Sequence, residues 1–238
     1  LLKGKEKVYA IVAPSIAAQF TYAKRGQVNT AMKQLGFYEV VEAALGADLV
    51  AYAEAAELAE KGFLTSSCCP AFVSLVRKHF PALLPFVSTT VSPMVAAERY
   101  IRSKRPEAVT VFIGPCIAKK NEGMSQYIQE LEYVLTFEEL YAMLCAKGIE
   151  AEAIAVPDTG DDATRYGKGF ALAGGGHAAV QRVIEEKGVD VSLSVAKCSG
   201  ADECRKALML LKAGKLPDDF VEGMALSLIH ISEPTRPY

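Results

Sequence analysis

The sequence lacks the features that mark several large classes of protein. No apolar run approaches the ~20 residues of a membrane-spanning helix, and no long basic run accompanies the net charge of −2. Proteins that bind nucleic acid or an anionic membrane usually carry such a basic run. No signal peptide, internal repeat or low-complexity segment is recognisable. We therefore expect a cytoplasmic protein with no nucleic-acid and no membrane partner.

The size of the chain limits the number of domains, and its cysteine content indicates how the fold is stabilised. The chain has 238 residues, 51% of them hydrophobic, which is enough for one large domain or two closely packed lobes. A chain of this size does not need disulfides, so in a reducing compartment its cysteines are expected to be free thiols. They are Cys68, Cys69, Cys116, Cys145, Cys198 and Cys204. Each is either a metal ligand or a small core residue.

Both ends of the chain look unlike those of a complete gene product. The first residue is Leu1 rather than methionine, so we expect the native start to lie upstream. Residues 226–238 resemble translated sequencing-adapter DNA, and a genuine tail is the less favoured interpretation. We therefore expect a domain over residues 1–225 followed by a non-native tail, whose His230 is not a ligand.

Short β-rich runs alternate with helical patterns along the chain. Strands are expected at residues 7–13, 38–42, 109–113, 151–156 and 191–196. Helices are expected at 28–35, 48–61, 70–80, 92–104, 136–147, 178–187 and 199–213. This alternation predicts an α/β fold with sheets covered by helices. A loop rich in glycine and aspartate at 157–176 is expected to divide two lobes.

Several helix ends are predicted from single residues. Gly36 is expected to stop a helix, because glycine readily adopts the left-handed conformation found there. Thr136 and Glu139 have the spacing of a capping box. Asp48 and Ser199 are expected to be N-caps.

The first candidate site is the segment Thr65–Pro70, which reads TSSCCP. A strand-like approach leads into Cys68 and Cys69, and proline suits the first position of a helix. Cys69 would then lie at a helix N-terminus, where free N–H groups and the helix dipole favour a thiolate. Thiolates are the usual ligands of iron–sulfur clusters. Two buried core cysteines are an equally good interpretation of this segment alone.

The second candidate site is Gly114–Glu122 (GPCIAKKNE), which directly follows the strand predicted at 109–113. Ligands of α/β proteins bind at the carboxyl ends of strands. Lys119 lies three residues after Cys116, so a helical turn places both on one side. An ammonium group there stabilises a thiolate and can bind an anionic ligand. The alternative, a strand end with a solvated basic turn, weakens once both cysteine segments are considered.

The remaining cysteines and one further segment indicate less. Cys145 follows a helical apolar pattern and is expected in the core. Cys198 and Cys204 flank a helix N-terminus, and core or accessory roles are favoured for them. The segment Phe220–Ala225 (FVEGMA) indicates no function by itself.

Taken together, TSSCCP, GPCIAKKNE and FVEGMA, in this order and spacing, resemble the three signature segments of iron-only (FeFe) hydrogenases. The resemblance extends over essentially all of residues 1–225. It implies two lobes of twisted sheets flanked by helices, with a cluster cleft between them. It also implies the H-cluster, a 4Fe-4S cubane joined by a cysteine to a two-iron subsite with CO, cyanide and dithiolate ligands.

Four cysteines hold this cofactor in the family, and the resemblance assigns the first two to Cys69 and Cys116. The third and fourth belong to a continuation of FVEGMA, and the fourth bridges to the two-iron subsite. Leu226 stands where the third is expected. We therefore expect the chain to be truncated there and, as it stands, inactive.

The resemblance also implies residues around the cofactor. Pro14, Ser15 and Lys119 match groups that bind the iron cyanides. Met224 matches a methionine packed beside the bridging ligand, and Glu122 matches a glutamate next to the lysine motif.

A proton route is implied as well. Cys68 matches the cysteine that passes protons to the dithiolate amine, and Glu54, Ser88 and Glu57 match the channel that continues outward. Judged by their own sequence pattern, Glu54 and Glu57 could equally be solvated helix residues.

The implied activity is the reversible reduction of protons to H2 with ferredoxin-type electron carriers, after maturation proteins have built the two-iron subsite. The alternatives are a hydrogen-sensing hydrogenase-like module and a non-catalytic hydrogenase-like iron–sulfur assembly protein. The presence of Cys68, Cys69, Lys119 and Glu122 argues against the assembly protein. An attached signalling domain would identify the sensor.

Overall fold

The computed structural model describes residues 2–4, 6–124, 133–155, 163–172, 174–188 and 193–225. Within these ranges the strands are β1 (Val8–Val12), β2 (Glu39–Glu42), β3 (Leu64–Thr65), β4 (Val109–Gly114), β5 (Tyr133–Thr136), β6 (Val195–Ser199) and β7 (Phe220–Met224). The helices are α1 (Ile16–Gln19), α2 (Arg25–Leu35), α3 (Ala43–Lys61), α4 (Pro70–His79), α5 (Pro93–Lys104), α6 (Ala118–Gly123), α7 (Phe137–Ala146), α8 (Arg165–Gly169), α9 (Gly175–Glu186) and α10 (Ala201–Lys212). Short 3-10 helices cover Pro81–Phe86 and Ala151–Ala153.

The first lobe is built on a four-stranded sheet in the order β2-β1-β4-β5, with every neighbouring pair parallel. All five side chains of β1 are buried, because a central parallel strand is covered on both faces. The covering side chains come from α2, α5 and α7, for example Met32, Met94 and Leu140. Removal of this apolar surface from water is the main favourable contribution to the stability of the lobe.

The second lobe is built on a smaller parallel sheet in the order β3-β7-β6. Successive side chains of a strand point to opposite faces. Phe220 of β7 accordingly packs with α3 and α9, whereas Val221 packs with α4 and α10. The second lobe is therefore a sheet between two helical layers, and the predicted α/β fold with two helix-covered sheets is confirmed.

The two lobes interleave along the chain. Helices α3 and α4 and strand β3 pack in the second lobe, although they precede β4 and β5 of the first. Of the loop expected to divide the lobes, residues 157–162 and 173 lie outside the described residues, as does the tail at 226–238. Among the described helices, none is both long and apolar enough to cross a lipid bilayer.

Several local signals act as the sequence predicts. Helix α2 ends at Gly36, whose φ of 113° glycine adopts without a Cβ clash. Helix α4 begins at Pro70. Thr136 N donates to Glu139 Oε2 over 2.7 Å, and Glu139 N donates to Thr136 Oγ1 over 3.2 Å, which closes the predicted capping box of α7.

Two predicted helix caps are wrong. Helix α3 begins at Ala43, so Asp48 lies inside the helix. Its carboxylate instead accepts hydrogen bonds from Thr164 N at 2.9 Å and Thr164 Oγ1 at 2.5 Å, which joins α3 to the start of α8. Ser199 is the last residue of β6, and Gly200 is the N-cap of α10.

Two further predictions are corrected. Cys145 is exposed rather than buried; its neighbour Leu144 faces the core, and successive helical residues point about 100° apart. The strand expected at 151–156 is absent from residues 151–155, which hold the 3-10 helix Ala151–Ala153. Cys198 and Cys204 are buried, in line with their predicted core positions.

Helices α3 and α5 approach each other closely at Gly46. A Cβ atom at this position would stand 2.7 Å from Ala97 N and would also contact the carbonyl oxygen of Pro93. No side chain fits there without displacing backbone. The contact therefore fixes α3, which packs in the second lobe, against α5 of the first.

Gly46→Ala is expected to lower the free energy of unfolding by about 1–3 kcal/mol, because the added methyl group forces α3 away from α5. Urea denaturation of the parent and variant proteins measures the change. Gly169→Ala is the matched control, since a Cβ there meets no atom within 4 Å, and we expect a change below about 1 kcal/mol. Equal effects of the two substitutions would contradict the close packing at Gly46.

Candidate functional site

A cavity of about 150 Å³ lies between the two lobes. Its wall is mostly apolar and takes residues from both lobes. The predicted site residues on it are Pro14, Ser15, Cys68, Cys69, Cys116, Lys119 and Met224. The fold thus brings both predicted metal ligands and four of the five predicted cofactor-binding residues to one place; the fifth, Glu122, lies beside it.

Parallel strands of the first lobe deliver one wall of this cavity. Pro14 and Ser15 follow β1, and Cys116 follows β4, the neighbouring strand. A hydrogen bond of 2.9 Å from Ala13 N to Ile113 O extends the pairing to the ends of both strands. Since the carboxyl ends of parallel strands meet at one edge of a sheet, residues about 100 positions apart in sequence become neighbours.

Cys69 occupies the helix terminus that the sequence predicts. It is the N-cap of α4, with extended backbone angles of φ −100° and ψ 105°, and Pro70 follows it at the first helical position. The first amides of a helix have no partner within the helix. The thiol of Cys69 therefore lies near the positive end of the dipole of α4, a favourable location for a thiolate.

Cys116 lies at a tighter turn. Lys119 N donates to Cys116 O over 3.1 Å, which places Lys119 one turn along α6 on the same side as the thiol. Burial raises the pKa of Cys116, and hydrogen bonds from the Ala118 and Lys119 amides partly offset this effect. The nearby charge of Lys119 also lowers the pKa of Cys116 and so favours its thiolate.

Lys119 is the cation that the cavity contains on the Cys116 side. Its Nζ forms an ion pair of 2.7 Å with Glu122 Oε2 and donates to Cys68 O over 3.1 Å. Glu122 itself faces a neighbouring cavity of about 460 Å³, which Ser88 also lines. Glu122 therefore positions Lys119 from behind rather than lining the interlobe cavity.

Cys68 lies beside buried acidic groups. Burial raises the pKa of its thiol well above the usual value, and the nearby carboxylates of Glu54 and Glu222 raise it further. The thiol is half-buried and free. At neutral pH it is consequently a proton donor rather than a thiolate.

Glu54 is buried, with a relative exposure of 1%. One hydrogen bond of 3.3 Å from Ser67 N reaches its Oε1. Burial raises the pKa of Glu54 to about 8, against the opposing effect of that hydrogen bond. The interpretation of Glu54 as a solvated helix residue is therefore wrong.

Glu57 has the opposite surroundings. Its carboxylate accepts hydrogen bonds of 2.6 Å from both Ser88 Oγ and Lys61 Nζ, and further ones from Thr89 N and Oγ1. Burial alone would raise its pKa, but these bonds prevail and lower it to about 2. Glu57 is thus an anion fixed beside Ser88, and the solvated interpretation is wrong here too.

Glu222 is a site feature that the sequence does not reveal. It is buried, and its carboxylate accepts hydrogen bonds from Gly174 N, Gly176 N and His177 N at 3.1, 3.2 and 3.0 Å. Burial raises its pKa, and these amides counteract the rise. The available signal was the glycine run 174–176 at the start of α9, because amides at a helix N-terminus accommodate an anion.

Two thiols among the described residues face one cavity and could be ligands of one metal site. Cys69 and Cys116 both line the interlobe cavity, near enough for the charge of Cys69 to raise the pKa of Cys116. Within the described residues, no group of three or more His, Cys, Asp or Glu side chains is arranged to hold a metal ion. The two thiols could therefore supply half of the ligands of a four-thiolate cluster; Leu226 lies outside the described residues.

Comparison with curated and solved proteins connects this arrangement to hydrogenases. The chain is 27% identical over 286 residues to the periplasmic Fe hydrogenase large subunit of Nitratidesulfovibrio vulgaris, covering 94% of this chain and 67% of that protein. Other hydrogenase relatives extend well beyond the match, with only 30% and 41% of their length covered.

Two further comparisons bear on fold and function. A solved structure of a variant of the FeFe-hydrogenase HydA1 from Chlamydomonas reinhardtii has a TM-score of 0.78 at 21% identity, and covers 98% of this chain and 80% of that one. This likeness shows the fold. The chain is also 25% identical over 142 residues to a cytosolic Fe-S cluster assembly factor NAR1 homolog of Schizosaccharomyces japonicus, covering 54% and 28% of the two proteins.

A family model also matches most of the chain. It describes the C-terminal domain of the iron only hydrogenase large subunit, and it covers residues 6–226, which include every cavity residue described above. The chain belongs to this family, the C-terminal domains of iron-only hydrogenase large subunits.

Proposed function

We propose that this chain is the catalytic part of an FeFe hydrogenase that interconverts protons and H2. The observation that carries the proposal is the single cavity in which Cys69 and Cys116, two thiols from different lobes, meet Cys68 and Lys119. In a core that serves only stability, an ammonium group is rarely found beside several thiols on an apolar wall. Thiolates are the usual ligands of iron–sulfur clusters, and a protonated thiol can pass a proton to a reacting group.

The residues present would hold part of the H-cluster. Cys69 and Cys116 would donate two thiolates to the cubane, and cysteines that continue the FVEGMA segment would donate the other two. With Leu226 in the first of those places, the polypeptide as it stands would be inactive. When bound, the H-cluster supplies the redox-active irons at which electrons and protons combine.

Lys119 would hold the anionic end of the cofactor. Two of its three N–H donors are used by Glu122 Oε2 and Cys68 O, so one remains for an acceptor in the cavity. Pro14 and Ser15 lie on the same cavity wall, and Met224 fills the side contributed by β7. These groups would orient cyanide-type ligands and exclude water from them.

The proton route would run from Cys68 past Glu54 to Ser88 and Glu57. Cys68 retains its proton at neutral pH, and Glu54, with a pKa of about 8, exchanges one readily near that pH. Ser88 Oγ is already oriented by its 2.6 Å hydrogen bond to Glu57. Lys61, paired with Glu57 and partly exposed, would mark the exit to solvent.

Electrons would come from a ferredoxin-type carrier, and maturation proteins would build the two-iron subsite. We propose a cytoplasmic location, where thiols stay reduced, although one hydrogenase relative is named as periplasmic. The second candidate function is that of a non-catalytic iron–sulfur assembly protein, which the similarity to the NAR1 homolog favours.

The direct test restores the source gene beyond Ala225, expresses it anaerobically and supplies the two-iron subsite. We expect H2 evolution from reduced ferredoxin. Cys68→Ala should lower the rate at least about 100-fold, the contribution of a positioned proton donor, while the electron paramagnetic resonance signal of the cubane persists.

Cys145→Ser is the matched control, because this thiol is exposed and absent from the described cavity wall; its rate should equal that of the parent. A restored protein that holds a cubane and evolves no H2 would overturn the proposal in favour of the assembly protein or the sensor. Full activity in Cys68→Ala would remove Cys68 from the proton route.

The pKa values of Glu54 and Glu57 are shifted in opposite directions, so the two residues should make the folding stability depend on pH in opposite ways. The folded pKa of Glu54, about 8, lies above the ordinary 4.5, so the folded state binds the extra proton and stability falls as pH rises from about 4.5 to 8. Glu54→Gln should abolish this fall and unfold at higher urea concentration than the parent at pH 9, by on the order of a few kcal/mol.

Glu57→Gln tests the opposite dependence, in which the stability of the parent protein falls as the pH is lowered. The folded pKa of Glu57, about 2, lies below the ordinary 4.5, so its contribution is present above pH 4.5 and lost as pH falls toward 2. This variant should be less stable than the parent at pH 7 by about 1–3 kcal/mol. Urea denaturation from about pH 2 to 9 checks both variants, and parallel pH profiles in all three proteins would refute the assignment.

A further inference from the structure

Cys198 and Cys204 form a thiol pair outside the ligand positions. Cys198 is the fourth residue of β6, and Cys204 lies in the first turn of α10. Both are free and buried, with relative exposures of 6% and 0%. Cys204 Sγ donates to Cys198 O over 3.9 Å, and each thiol is the largest influence on the pKa of the other. The two side chains therefore lie side by side in one buried cluster, which is the first requirement for a disulfide between them.

The surroundings of the pair are apolar. Phe72, Val76, Val221 and Leu208 belong to the same buried cluster, and Cys69 packs against it. Within the described residues no third metal-binding side chain joins the two thiols. Two neighbouring thiols with no further ligand favour redox chemistry over metal binding.

The two thiols are not equivalent. The neighbouring Cys204 thiol lowers the pKa of Cys198, and the Cys198 thiol raises that of Cys204. Cys198 is also the more accessible of the two. Cys198 is thus the nucleophile of the pair, and Cys204 is the thiol that resolves its oxidised form.

We propose that Cys198 and Cys204 are an oxidation site at which hydrogen peroxide forms an intramolecular disulfide. The Cys198 sulfur attacks peroxide, so that an S–O bond forms, the O–O bond breaks and one water leaves. The Cys204 sulfur then attacks the sulfenic sulfur, so that the S–S bond forms, the S–O bond breaks and a second water leaves. Two thiols lose two electrons and two protons, and one peroxide becomes two waters.

The position of the pair connects this chemistry to the cavity wall. Cys198 pairs in register with Gly223 of β7, and Gly200 N donates to Met224 O over 2.7 Å. The Met224 amide also faces the Cys204 sulfur. The disulfide would therefore form directly behind the strand that carries Met224 into the cavity. The proposal does not depend on the proposed catalytic activity, since it concerns only these two thiols.

The sequence offers a direct assay, because trypsin cleaves after Lys197 and Arg205 and releases both cysteines in the single peptide 198–205. The reduced chain is treated with one equivalent of hydrogen peroxide under anaerobic conditions, alkylated with N-ethylmaleimide and digested with trypsin. The masses of the peptides are then measured by mass spectrometry. We expect peptide 198–205 to appear without alkyl groups and lighter by two hydrogen atoms than its reduced form. The peptides with Cys68, Cys69, Cys116 and Cys145 should remain alkylated.

Cys198→Ser and Cys204→Ser are the paired variants, and each should abolish the mass loss; Cys198→Ser should also leave Cys204 unoxidised. Cys145→Ser should retain the mass loss in full. Circular dichroism confirms that each variant is folded before oxidation. A doubly alkylated peptide 198–205, a sulfinic or sulfonic acid in its place, or a disulfide that includes Cys69 would each overturn the proposal.

Discussion

The close contact of α3 with α5 at Gly46 is the constraint on which the site depends. Helix α3 spans both lobes: Ala43 and Ala47 at its start line the cavity, its middle packs on α9, and its later turns carry Glu54 and Glu57. If α3 moved relative to α5, the cavity wall and the glutamates would move with it. A single glycine position therefore sets the geometry of elements that lie several turns apart.

Three glutamates show how partners decide the chemistry of one residue type. Glu57 has an ammonium group and hydroxyls around it, and it stays ionised. Glu54 has one backbone amide, and burial favours its neutral form. Glu222 has three amides at the start of α9, which offset much of the cost of burying it. The protein therefore places a fixed anion and a titratable acid one helical turn apart on α3.

The sequence predicts features that depend on neighbouring residues. Gly36, Pro70 and the Thr136–Glu139 box act through contacts within four positions, and each takes its predicted place. The resemblance to iron-only hydrogenases added the grouping of Cys69 with Cys116. The hydrogen-bonding roles of Asp48 and Glu222 could not be predicted, because their partners lie far away in sequence, at Thr164 and at residues 174–177. Strand β7 was not predicted, because its run of hydrophobic residues is only two residues long.

Strand β7 also determines the order in which the molecule can close. It is the central strand of its sheet, so β3 and β6 pair with it and not with each other, and Gly223 N reaches Ser66 Oγ across 157 positions of sequence. A ribosome releases the chain from its N-terminus, and domains fold as their parts emerge. During translation, the first lobe can assemble before β7 has been synthesised, whereas the segment with Cys69 still lacks β7 to pack against. The second wall of the cavity exists only after the last described strand has left the ribosome.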